Sequence, residues 1–475
     1  MRYVSTRGQA APISFREAVV SGLASDGGLF VPETWPEISR EHIDRLASAP
    51  FDKVVARSLA AFLEDADDAP SLKHLEDVFA DAYASFTASP ATPLREIGEN
   101  LFVLELFHGP TLAFKDVAMQ ALSALYPWAL AEAASGSGDA AQSTQNLQLK
   151  KTILAATSGD TGGAAIAAFA GKPGVEMVVL HPKGRISSVQ RRIMTTVDAD
   201  NIHNFAIEGT FDDCQRIVKS LFVDEELKAA RDLGGVNSIN WVRLAVQTSY
   251  YFSTAAALGE ASYVVPTGNF GDVFAGFVAK KMGVPIKKLA VAVNDNDIVA
   301  RAINGGDYSP SGVNPTTSPS MDIQVASNFE RLLFEASGRD ADRVRQMMGT
   351  FDSDRGLQIP SDVLTRIQED FVAGRADRAA VDSTIRDLQE TADYLVDPHT
   401  AVGVHVARHL KVKLNDGPVV VLGTAHPAKF PDTVESASGV MPALPEHYAD
   451  LHQREEFYET LPSDLSAVRN AILAL

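Results

Sequence analysis

Lys115 occupies an unusual position for a lysine, because it follows a predicted strand and begins a predicted helix. The apolar run 101–106 predicts a buried strand, Gly109 and Pro110 end it, and apolar residues recur at helical spacing from Val117. A cation in the first turn of a helix loses about 0.3–1 kcal/mol to the macrodipole, and apolar neighbours disfavour its ammonium form. The uncharged amine condenses with aldehydes to a Schiff base, so the position suits a lysine that carries an aldehyde cofactor. The alternative is a side chain that extends from the helix start to solvent.

Two glycine-rich segments have the composition of anion-binding turns. Residues 266–272 (PTGNFGD) and 157–163 (TSGDTGG) each follow an apolar strand and open a helix. Glycine lets an anion approach the backbone N–H groups that the first helical turn leaves unpaired. We expect the first turn to bind a phosphate and the second, where Ser158 and Thr161 add hydroxyl groups, to bind a carboxylate. Helix capping by Ser158 or Asp160 is an alternative for the second turn, and it is compatible with binding.

The sequence offers little to a metal ion. His405 and His409 are four residues apart on a predicted helix and could share a face, but no HExxH pattern or acidic ligand accompanies them. Packing is therefore the preferred interpretation of this pair. Cys214 is the single cysteine, which excludes an intramolecular disulfide and a multi-cysteine metal site and favours a reducing compartment. We predict no metal site.

A regular alternation of strands and helices must position these residues. Parallel pairing in a doubly wound α/β sheet is the expected arrangement, because single helices separate successive strands. The predicted strands are Thr152–Ala156, Val175–Leu180, Asn201–Ile207, Ser262–Val265, Leu289–Val293 and, last, Pro418–Leu422. The predicted helices are Thr161–Ala170, Ser187–Val197, Asp212–Leu233, Val242–Leu258 and Phe270–Met282, with further helical stretches between Asn328 and His409. The segment 309–320, rich in Ser, Pro and Thr, is predicted to be a long functional loop.

The overall charge excludes some classes of partner. The 475 residues include 42 basic and 61 acidic side chains, a formal charge of −19, which opposes binding to nucleic acid or to an anionic membrane. The N-terminus has no apolar core of signal-peptide length, and no run of about eighteen apolar residues occurs. We expect a cytoplasmic protein that acts on a small molecule as a monomer or homodimer.

The segment HGPTLAFKDVAMQ, which begins at His108, is similar to the signature around the pyridoxal-phosphate lysine of threonine synthases. These enzymes belong to fold type II of the pyridoxal-phosphate enzymes. Further segments resemble family blocks in the same order and together cover most of the chain. They are ATSGDTGGAA at Ala156, HPKGRIS at His181, NSINW at Asn237, PTGNFGD at Pro266, PSMDI at Pro319 and TAHPAKF at Thr424.

The resemblance implies a fold and a domain organisation. It implies doubly wound parallel α/β sheets of the tryptophan synthase β type, preceded by an N-terminal extension domain. Residues 1–95, with helical patterns around Phe15–Leu23 and His42–Leu63, are expected to form this domain. Residues 96–475 are expected to form a pyridoxal-phosphate-dependent catalytic region of two α/β subdomains. A polar insertion near 134–150 is predicted to be a mobile surface segment.

The resemblance also implies roles for individual residues. Lys115 would hold the cofactor, pyridoxal 5'-phosphate, and act as the catalytic residue, whereas Lys429, predicted to be solvent-exposed or in contact with an anion, is the only serious rival. The hydroxyl of Thr424 would bind the pyridine nitrogen and, being neutral, would make the ring a weaker electron sink than a carboxylate partner does.

The cofactor phosphate and its surroundings would be held by Gly268, Asn269, Phe270, Gly271 and Asp272. The substrate carboxylate would be bound by Ser158, Gly159, Asp160, Thr161 and Gly162. Many fold-type II relatives carry asparagine in place of Asp160, whereas threonine synthases tend to have aspartate.

The implied reaction converts O-phospho-L-homoserine and water to L-threonine and phosphate. A substrate dianion requires cationic and amide donors. The candidates are Arg185, Ser238, Asn240 and Arg243. Another fold-type II activity, such as a serine/threonine dehydratase or a β-replacement enzyme, is the enzymatic alternative. A ligand-binding protein without turnover is the non-enzymatic alternative, which the joint presence of Lys115, the Gly268 turn and Thr424 disfavours.

Overall fold

Two mainly parallel sheets, covered by helices, organise the chain. We describe a computed structural model, which covers residues 1–63, 69–131, 150–410, 414 and 417–475. The predicted insertion near 134–150 lies outside the described residues except for Lys150. Within the described ranges, no helix has both the length and the apolar character needed to cross a membrane.

The strands are listed here in chain order. They are β1 (Tyr3–Ser5), β2 (Phe30–Pro32), β3 (Leu94–Gly98), β4 (Leu101–Glu105), β5 (Lys151–Ala156), β6 (Val175–Pro182), β7 (Ile202–Glu208), β8 (Asp232–Gly234), β9 (Ala261–Pro266), β10 (Ile286–Val293), β11 (Asp307–Tyr308), β12 (Leu357–Gln358), β13 (Phe371–Arg375), β14 (Val419–Gly423) and β15 (Glu459–Pro462).

The first group of α-helices is α1 (Phe15–Val20), α2 (Arg40–Arg45), α3 (Phe51–Ala60), α4 (Leu72–Tyr83), α5 (Lys115–Ala131), α6 (Asp160–Phe169), α7 (Ser188–Thr195), α8 (Phe211–Leu221), α9 (Glu225–Ala230) and α10 (Trp241–Leu258). The second group is α11 (Gly271–Lys281), α12 (Ile298–Gly305), α13 (Phe329–Ala336), α14 (Ala341–Asp354), α15 (Ser361–Asp370), α16 (Arg378–Ala392), α17 (Pro398–His409), α18 (Pro431–Ser438) and α19 (Leu465–Leu473). Short 3-10 turns lie at Ala61–Leu63, Pro319–Met321, Pro427–Lys429, Glu446–Tyr448 and Leu451–Gln453.

The larger sheet has the strand order β13-β10-β9-β14-β4-β3. Its pairings are parallel except that of β3 with β4. Strands β9, β14 and β4 are neighbours, so the segments that follow their carboxyl ends meet at one edge of the sheet. These segments are the glycine turn 266–272, Thr424 and the loop that leads to Lys115. The topology therefore collects three parts of the predicted site that lie far apart in the sequence.

The smaller sheet has the order β15-β7-β6-β5-β8, and all its pairings are parallel. Its strand β5 is buried along most of its length and leads directly to the second glycine turn, 157–163. The alternation of strands and helices predicted between residues 101 and 293 is confirmed in its main features, with small shifts at the ends of elements. Parallel strands buried on both faces read as continuous apolar runs, which is why they were recognisable.

Helix α10 connects the N-terminal residues to the rest of the chain. The Trp241 indole, which begins this helix, packs against the rings of Tyr3, Trp35 and Phe62, with centroid distances of 6.0, 5.9 and 5.7 Å. All four belong to, or pack against, one apolar core that includes residues from β4, α5 and β9. The N-terminal residues are thus part of the main core, and the predicted domain boundary at residue 95 stays a prediction.

Three predictions about elements are wrong or incomplete. The predicted helix Asp212–Leu233 is divided into α8 and α9, because Asp224 caps the start of α9 by accepting a hydrogen bond from Leu227 N, and β8 follows. The helical stretches predicted between Asn328 and His409 are confirmed as α13–α17, but two strands that were not predicted, β12 and β13, lie between them. The strand predicted to be the last is followed by β15, which pairs with β7 in the smaller sheet.

Candidate active site

Lys115 is the first residue of α5, at the strand-to-helix junction that the sequence predicts. The loop before it is fixed at two points. The N–H of Phe114 donates to the carbonyl oxygen of Thr424 at 2.9 Å, and the Asp116 carboxylate accepts from Thr111 N at 2.7 Å. Lys115 is therefore held beside Thr424, the residue predicted to contact the cofactor ring.

The Lys115 side chain is buried, with 11% of its surface exposed, so the alternative of a solvent-directed lysine is wrong. Its Nζ lies 3.4 Å from Asp160 Oδ2 and 4.8 Å from the centre of the Phe114 ring. Burial lowers the pKa of Lys115 below its ordinary value, and the positive charges of Lys429 and Arg243 lower it further, whereas Asp160 opposes the shift. A lowered pKa favours the uncharged amine that a cofactor lysine requires.

Asp160 is the centre of the polar contacts around Lys115. Its Oδ1 lies 2.6 Å from Lys429 Nζ and accepts a hydrogen bond from Gln190 Nε2 at 2.9 Å. Its Oδ2 faces Lys115 and accepts from Ser320 Oγ at 3.2 Å. Burial raises the pKa of Asp160, but Lys429 and Lys115 lower it more strongly, so the pKa lies well below its ordinary value and the side chain is a carboxylate.

Lys429 is not solvent-exposed, so that alternative of its prediction is wrong, and the anion that its side chain contacts is the carboxylate of Asp160. Only 1% of the lysine side chain is exposed, and its Nζ donates to the carbonyl oxygen of Thr111 at 2.8 Å in addition to contacting Asp160. The 3-10 turn 427–429 points the side chain inward, toward the loop that precedes Lys115. The site therefore contains two buried lysines on one carboxylate.

The glycine turn 266–272 opens α11 without a side-chain cap. Phe270 adopts a left-handed backbone conformation with φ 65°, and its ring packs edge-on against Phe329 at 5.3 Å. A Cβ at Gly268 would collide with the carbonyl oxygen of Ser320, whereas a Cβ at Gly271 would meet Asn328 Nδ2 at 3.3 Å. Close backbone packing therefore requires glycine at 268 more strictly than at 271.

Asp272 and Asn269 complete this turn. Asp272 is buried, and its carboxylate accepts hydrogen bonds from the Tyr250 and Tyr251 hydroxyl groups. Burial raises the pKa of Asp272 to about 7, in spite of these hydrogen bonds. Asn269 is exposed, and its carbonyl oxygen accepts from the side chain of Asn328 at 3.0 Å. The predicted contacts of these residues with the cofactor phosphate stay predictions.

The second glycine turn, 157–163, is capped by a residue other than the two predicted ones. The Thr157 hydroxyl accepts from Gly159 N and Gly162 N, both at 2.9 Å, whereas neither Ser158 nor Asp160 serves as the cap. Gly159 has φ 132°, a conformation that favours glycine, and a Cβ there would approach Gln190 Nε2 within 2.6 Å. Thr161 and Ser158 are partly buried at the start of α6, where their predicted contact with a carboxylate stays untested.

The four candidates for the substrate phosphate lie in unlike environments. Arg185 is exposed after β6, and Ser238 is partly buried with its hydroxyl 3.3 Å from that of Ser327. Arg243 is buried, donates from Nη1 to Val236 O at 2.9 Å, and has a pKa lowered by burial to about 10. Its Nε has no partner within the described part of the chain.

Asn240 has a structural role instead. Its side-chain oxygen accepts from the first N–H groups of α10, and its amide donates to carbonyl groups at the end of α1. These partners are Val242, Arg243, Ala18, Val19 and Ser21. The contacts engage the hydrogen-bonding groups of the side chain and leave no amide donor for a substrate phosphate.

Several polar residues that support the site were missed. His399 Nδ1 lies 2.7 Å from Asp397 Oδ1, and His399 Nε2 accepts from Ser320 N at 3.3 Å, which requires the tautomer with the proton on Nδ1. Asp397 also accepts from the Thr400 hydroxyl, whose oxygen accepts from Thr424 N at 3.2 Å. The network links Thr424 to Ser320. An aspartate, proline and histidine at a helix start were the available signal, since Asp397 caps α17 and is buried.

These residues fit pyridoxal phosphate. The Thr424 hydroxyl is buried and, among the described residues, has no hydrogen-bond partner for its oxygen, so it is free to bond a ring nitrogen. Lys115 offers a buried amine of lowered pKa beside it, and the uncapped start of α11 offers backbone N–H groups to a phosphate. The described residues contain no group of three or more His, Cys, Asp or Glu side chains suited to a metal ion. The rings of His405 and His409 contact each other at a tilt of 30°, with ring centres 3.9 Å apart.

Comparison with known proteins identifies the class. Residues 87–425 match the family model of pyridoxal-phosphate dependent enzymes, residues 2–83 match the threonine synthase N terminus, and residues 400–472 match the threonine synthase C-terminal model. Fold and site together define a pyridoxal-phosphate-dependent enzyme of fold type II.

Full-length relatives narrow this class. A threonine synthase of Pseudomonas aeruginosa is 43% identical over 475 residues, covering 99% of this chain and 97% of its own. The crystal structure of a pyridoxal-phosphate-bound threonine synthase from Brucella melitensis superposes with a TM-score of 0.92 at 46% identity, covering 100% of this chain and 99% of its own. The yeast threonine synthase structure gives a TM-score of 0.90 at 36% identity, with 99% and 98% coverage. The chain belongs to the threonine synthase family, and its cofactor is pyridoxal phosphate.

Proposed function

We propose that this threonine synthase converts O-phospho-L-homoserine and water to L-threonine and phosphate, with Lys115 as the cofactor-bearing and catalytic lysine. The observation that supports this proposal most strongly is the placement of Lys115. Its buried amine lies 3.4 Å from the Asp160 carboxylate, the preceding residue Phe114 is hydrogen-bonded to Thr424, and the glycine turn 266–272 begins at the same edge of the sheet.

Pyridoxal phosphate, when bound, supplies an electron sink for bonds at the α-carbon of the substrate. Lys115 Nζ would remove and return protons at the substrate's Cα and Cβ. The neutral Thr424 hydroxyl is the proposed partner of the ring nitrogen, and it is held by the hydrogen bond from Thr424 N to Thr400. Lys115, Asp160 and Thr424 are all buried, so water is largely excluded from the amine.

The remaining predicted contacts complete the proposal. Gly268, Asn269, Phe270, Gly271 and Asp272 would surround the cofactor phosphate, and Ser158, Gly159, Asp160, Thr161 and Gly162 would lie at the substrate carboxylate. Arg243 is a better-placed candidate for the substrate phosphate, because it is close enough to lower the pKa of Lys115. Ser238 is the other candidate that is not exposed and not engaged elsewhere by its whole side chain. Arg185 is a weaker candidate, since its side chain is exposed.

The substrate proposal is tested by measuring phosphate release from O-phospho-L-homoserine and ammonia release from serine and threonine. We expect the parent enzyme to prefer the phosphorylated substrate and Lys115→Ala to lose turnover while keeping its fold, because alanine suits a helix start. Lys280→Ala is a control. Lys280 lies at the end of α11 that is remote from the glycine turn, and its ion-pair partner is Asp370, 2.7 Å away. Ammonia release without phosphate release would instead indicate a dehydratase.

We also propose that the protein is cytoplasmic and acts as a monomer or homodimer. The single cysteine, buried at position 214, fits a reducing compartment. Light scattering of the purified protein would separate the two oligomeric states, and a larger assembly would contradict both.

A further inference from the structure

The carboxylate of Asp160 is shared unequally between two buried lysines. Lys429 Nζ lies 2.6 Å from Oδ1, whereas Lys115 Nζ lies 3.4 Å from Oδ2. Lys429 also donates to Thr111 O at 2.8 Å, and Gln190 donates to the same oxygen of Asp160 at 2.9 Å. Lys429 thus has two close acceptors, as an ammonium group requires, whereas Lys115 has one longer contact.

We propose that Lys429 is the permanent counter-ion of Asp160, and that it leaves the amine of Lys115 free to lose its proton and react with the cofactor aldehyde. Lys429 is in this view a positioning residue, which acts through Asp160. The inference deepens the proposed function and rests on the assignment of Lys115 as the cofactor lysine.

The balance of buried charges explains why Lys429, and not Lys115, should pair with Asp160. A buried carboxylate needs a positive partner, because an unpaired buried charge is strongly unfavourable. If Lys115 were that partner, it would be retained as an ammonium ion, which has no lone pair to attack an aldehyde. With Lys429 as the partner, the pair with Asp160 is neutral as a whole, and Lys115 can react as the free amine, forming a C=N bond with loss of water.

The other charged groups around Lys115 agree with this division of roles. Arg243 adds a positive charge that disfavours the Lys115 ammonium ion. Asp272 acts on Lys115 from the start of α11, but burial raises its pKa to about 7, so it is only partly charged near neutral pH. His399 adjoins Asp160 from α17, and its two ring nitrogens contact Asp397 Oδ1 and Ser320 N.

The backbone around Lys429 is held in place, which a permanent counter-ion needs. The Ser187 hydroxyl donates to Lys429 O at 2.8 Å, and Ala428 N donates to His426 Nδ1 at 3.1 Å. His426 N in turn donates to Leu112 O at 3.0 Å, in the loop that leads to Lys115. The segment that carries Lys429 is therefore fixed directly to the segment that carries Lys115.

The test uses the full-length apoprotein and measures the rate at which pyridoxal phosphate becomes covalently attached, as a function of pH. For Lys429→Met we expect attachment at neutral pH to slow by about tenfold and its pH midpoint to rise by about one unit, because Asp160 then holds the proton on Lys115. The double variant Asp160→Asn/Lys429→Met removes both charges and should return the midpoint toward that of the parent. Lys280→Met, which breaks another lysine–aspartate pair, should leave the midpoint unchanged.

An unshifted midpoint in Lys429→Met would overturn the inference. If that variant does not fold, Asp160→Asn is compared with Asp160→Asn/Lys429→Met. We expect the pH midpoint of attachment to be about one unit higher in the double variant, because Lys429 no longer repels the Lys115 ammonium ion there. Equal midpoints in that pair would overturn the inference equally. Borohydride labelling of the parent separates this failure from a failure of the proposed function, because label on a lysine other than Lys115 contradicts the assignment of Lys115 itself.

Discussion

The two glycine-rich turns have the same sequence pattern and different local structures. Both follow a strand and begin a helix, at 157–163 before α6 and at 266–272 before α11. In the first turn, Thr157 occupies backbone N–H groups of the helix start, whereas the second turn has no side-chain cap. A glycine-rich helix start therefore predicts where an anion could bind, and the preceding side chain decides how many N–H groups are left for it.

The acidic residues of the two turns differ even more. Asp160 contacts two lysines, which keep its pKa well below the ordinary value, whereas Asp272 faces two tyrosines and burial raises its pKa to about 7. Both carboxyl groups are buried, so burial alone does not decide their charge. The nearest cation does, because attraction to a positive charge opposes the cost of burying the carboxylate.

Among substitutions in the two turns, Gly268→Val is expected to have the largest effect. The added side chain would collide with the carbonyl oxygen of Ser320, and Ser320 is hydrogen-bonded to Asp160, so both turns would be displaced. We expect the affinity of the apoprotein for pyridoxal phosphate to fall by at least about tenfold, or ~1.4 kcal/mol, in an equilibrium titration. Gly271→Val is the comparison, and we expect a smaller loss of affinity, because its Cβ would meet the Asn328 side chain at 3.3 Å and Ser238 O at 3.8 Å. Unchanged affinity in Gly268→Val would place the phosphate elsewhere.

A second experiment examines the charge of Asp272 through pH. Its pKa rises from 3.8 to about 7 on folding, so between these values the folded apoprotein holds a proton that the unfolded chain has released. The protonated Asp272 therefore stabilises the fold at low pH. As the pH rises to about 7, this contribution is lost, and the free energy of unfolding falls by on the order of 2–4 kcal/mol. Urea unfolding across this range should show a smaller loss of stability in Asp272→Asn. An identical pH dependence in the variant would mean that Asp272 ionises normally.

The smallest effect is expected from Thr157→Val. The substitution keeps the shape of the side chain but removes the oxygen that accepts from Gly159 N and Gly162 N. We expect the free energy of unfolding to fall by about 1–2 kcal/mol in urea titrations, as for the loss of a helix cap. Thr157→Ser keeps the hydroxyl and should lose less. Equal stability of the valine variant and the parent would show that other groups cap this helix.

The sequence indicated the local features of the site, and long-range packing supplied the rest. The junction at Lys115 and both glycine turns depend on neighbouring residues, so periodicity and turn composition were enough to locate them. The burial of Lys429 depends on its contact with Thr111, 318 positions away in the chain, and no local pattern announces it. The pairing of β15 with β7 is another such contact, formed by a short strand near the end of the chain.

The contacts of His399 illustrate a different limit. A helix start beginning with Asp397 and Pro398 was recognisable, but the hydrogen bond from Ser320 to His399 joins segments whose proximity only the folded chain reveals. Asn240 gave the opposite error, since an amide in a motif block was interpreted as a ligand contact although it joins α1 to α10.

The assignment of Lys115 as the lysine that carries the cofactor is tested most directly by trapping the covalent link. The purified enzyme, loaded with pyridoxal phosphate, is reduced with borohydride and digested, and the modified peptide is sequenced. We predict the label on Lys115, in the peptide that contains the segment AFKDVAM, and no label on Lys429. Label on Lys429 would contradict this assignment, because the two buried lysines would then have exchanged the roles proposed for them.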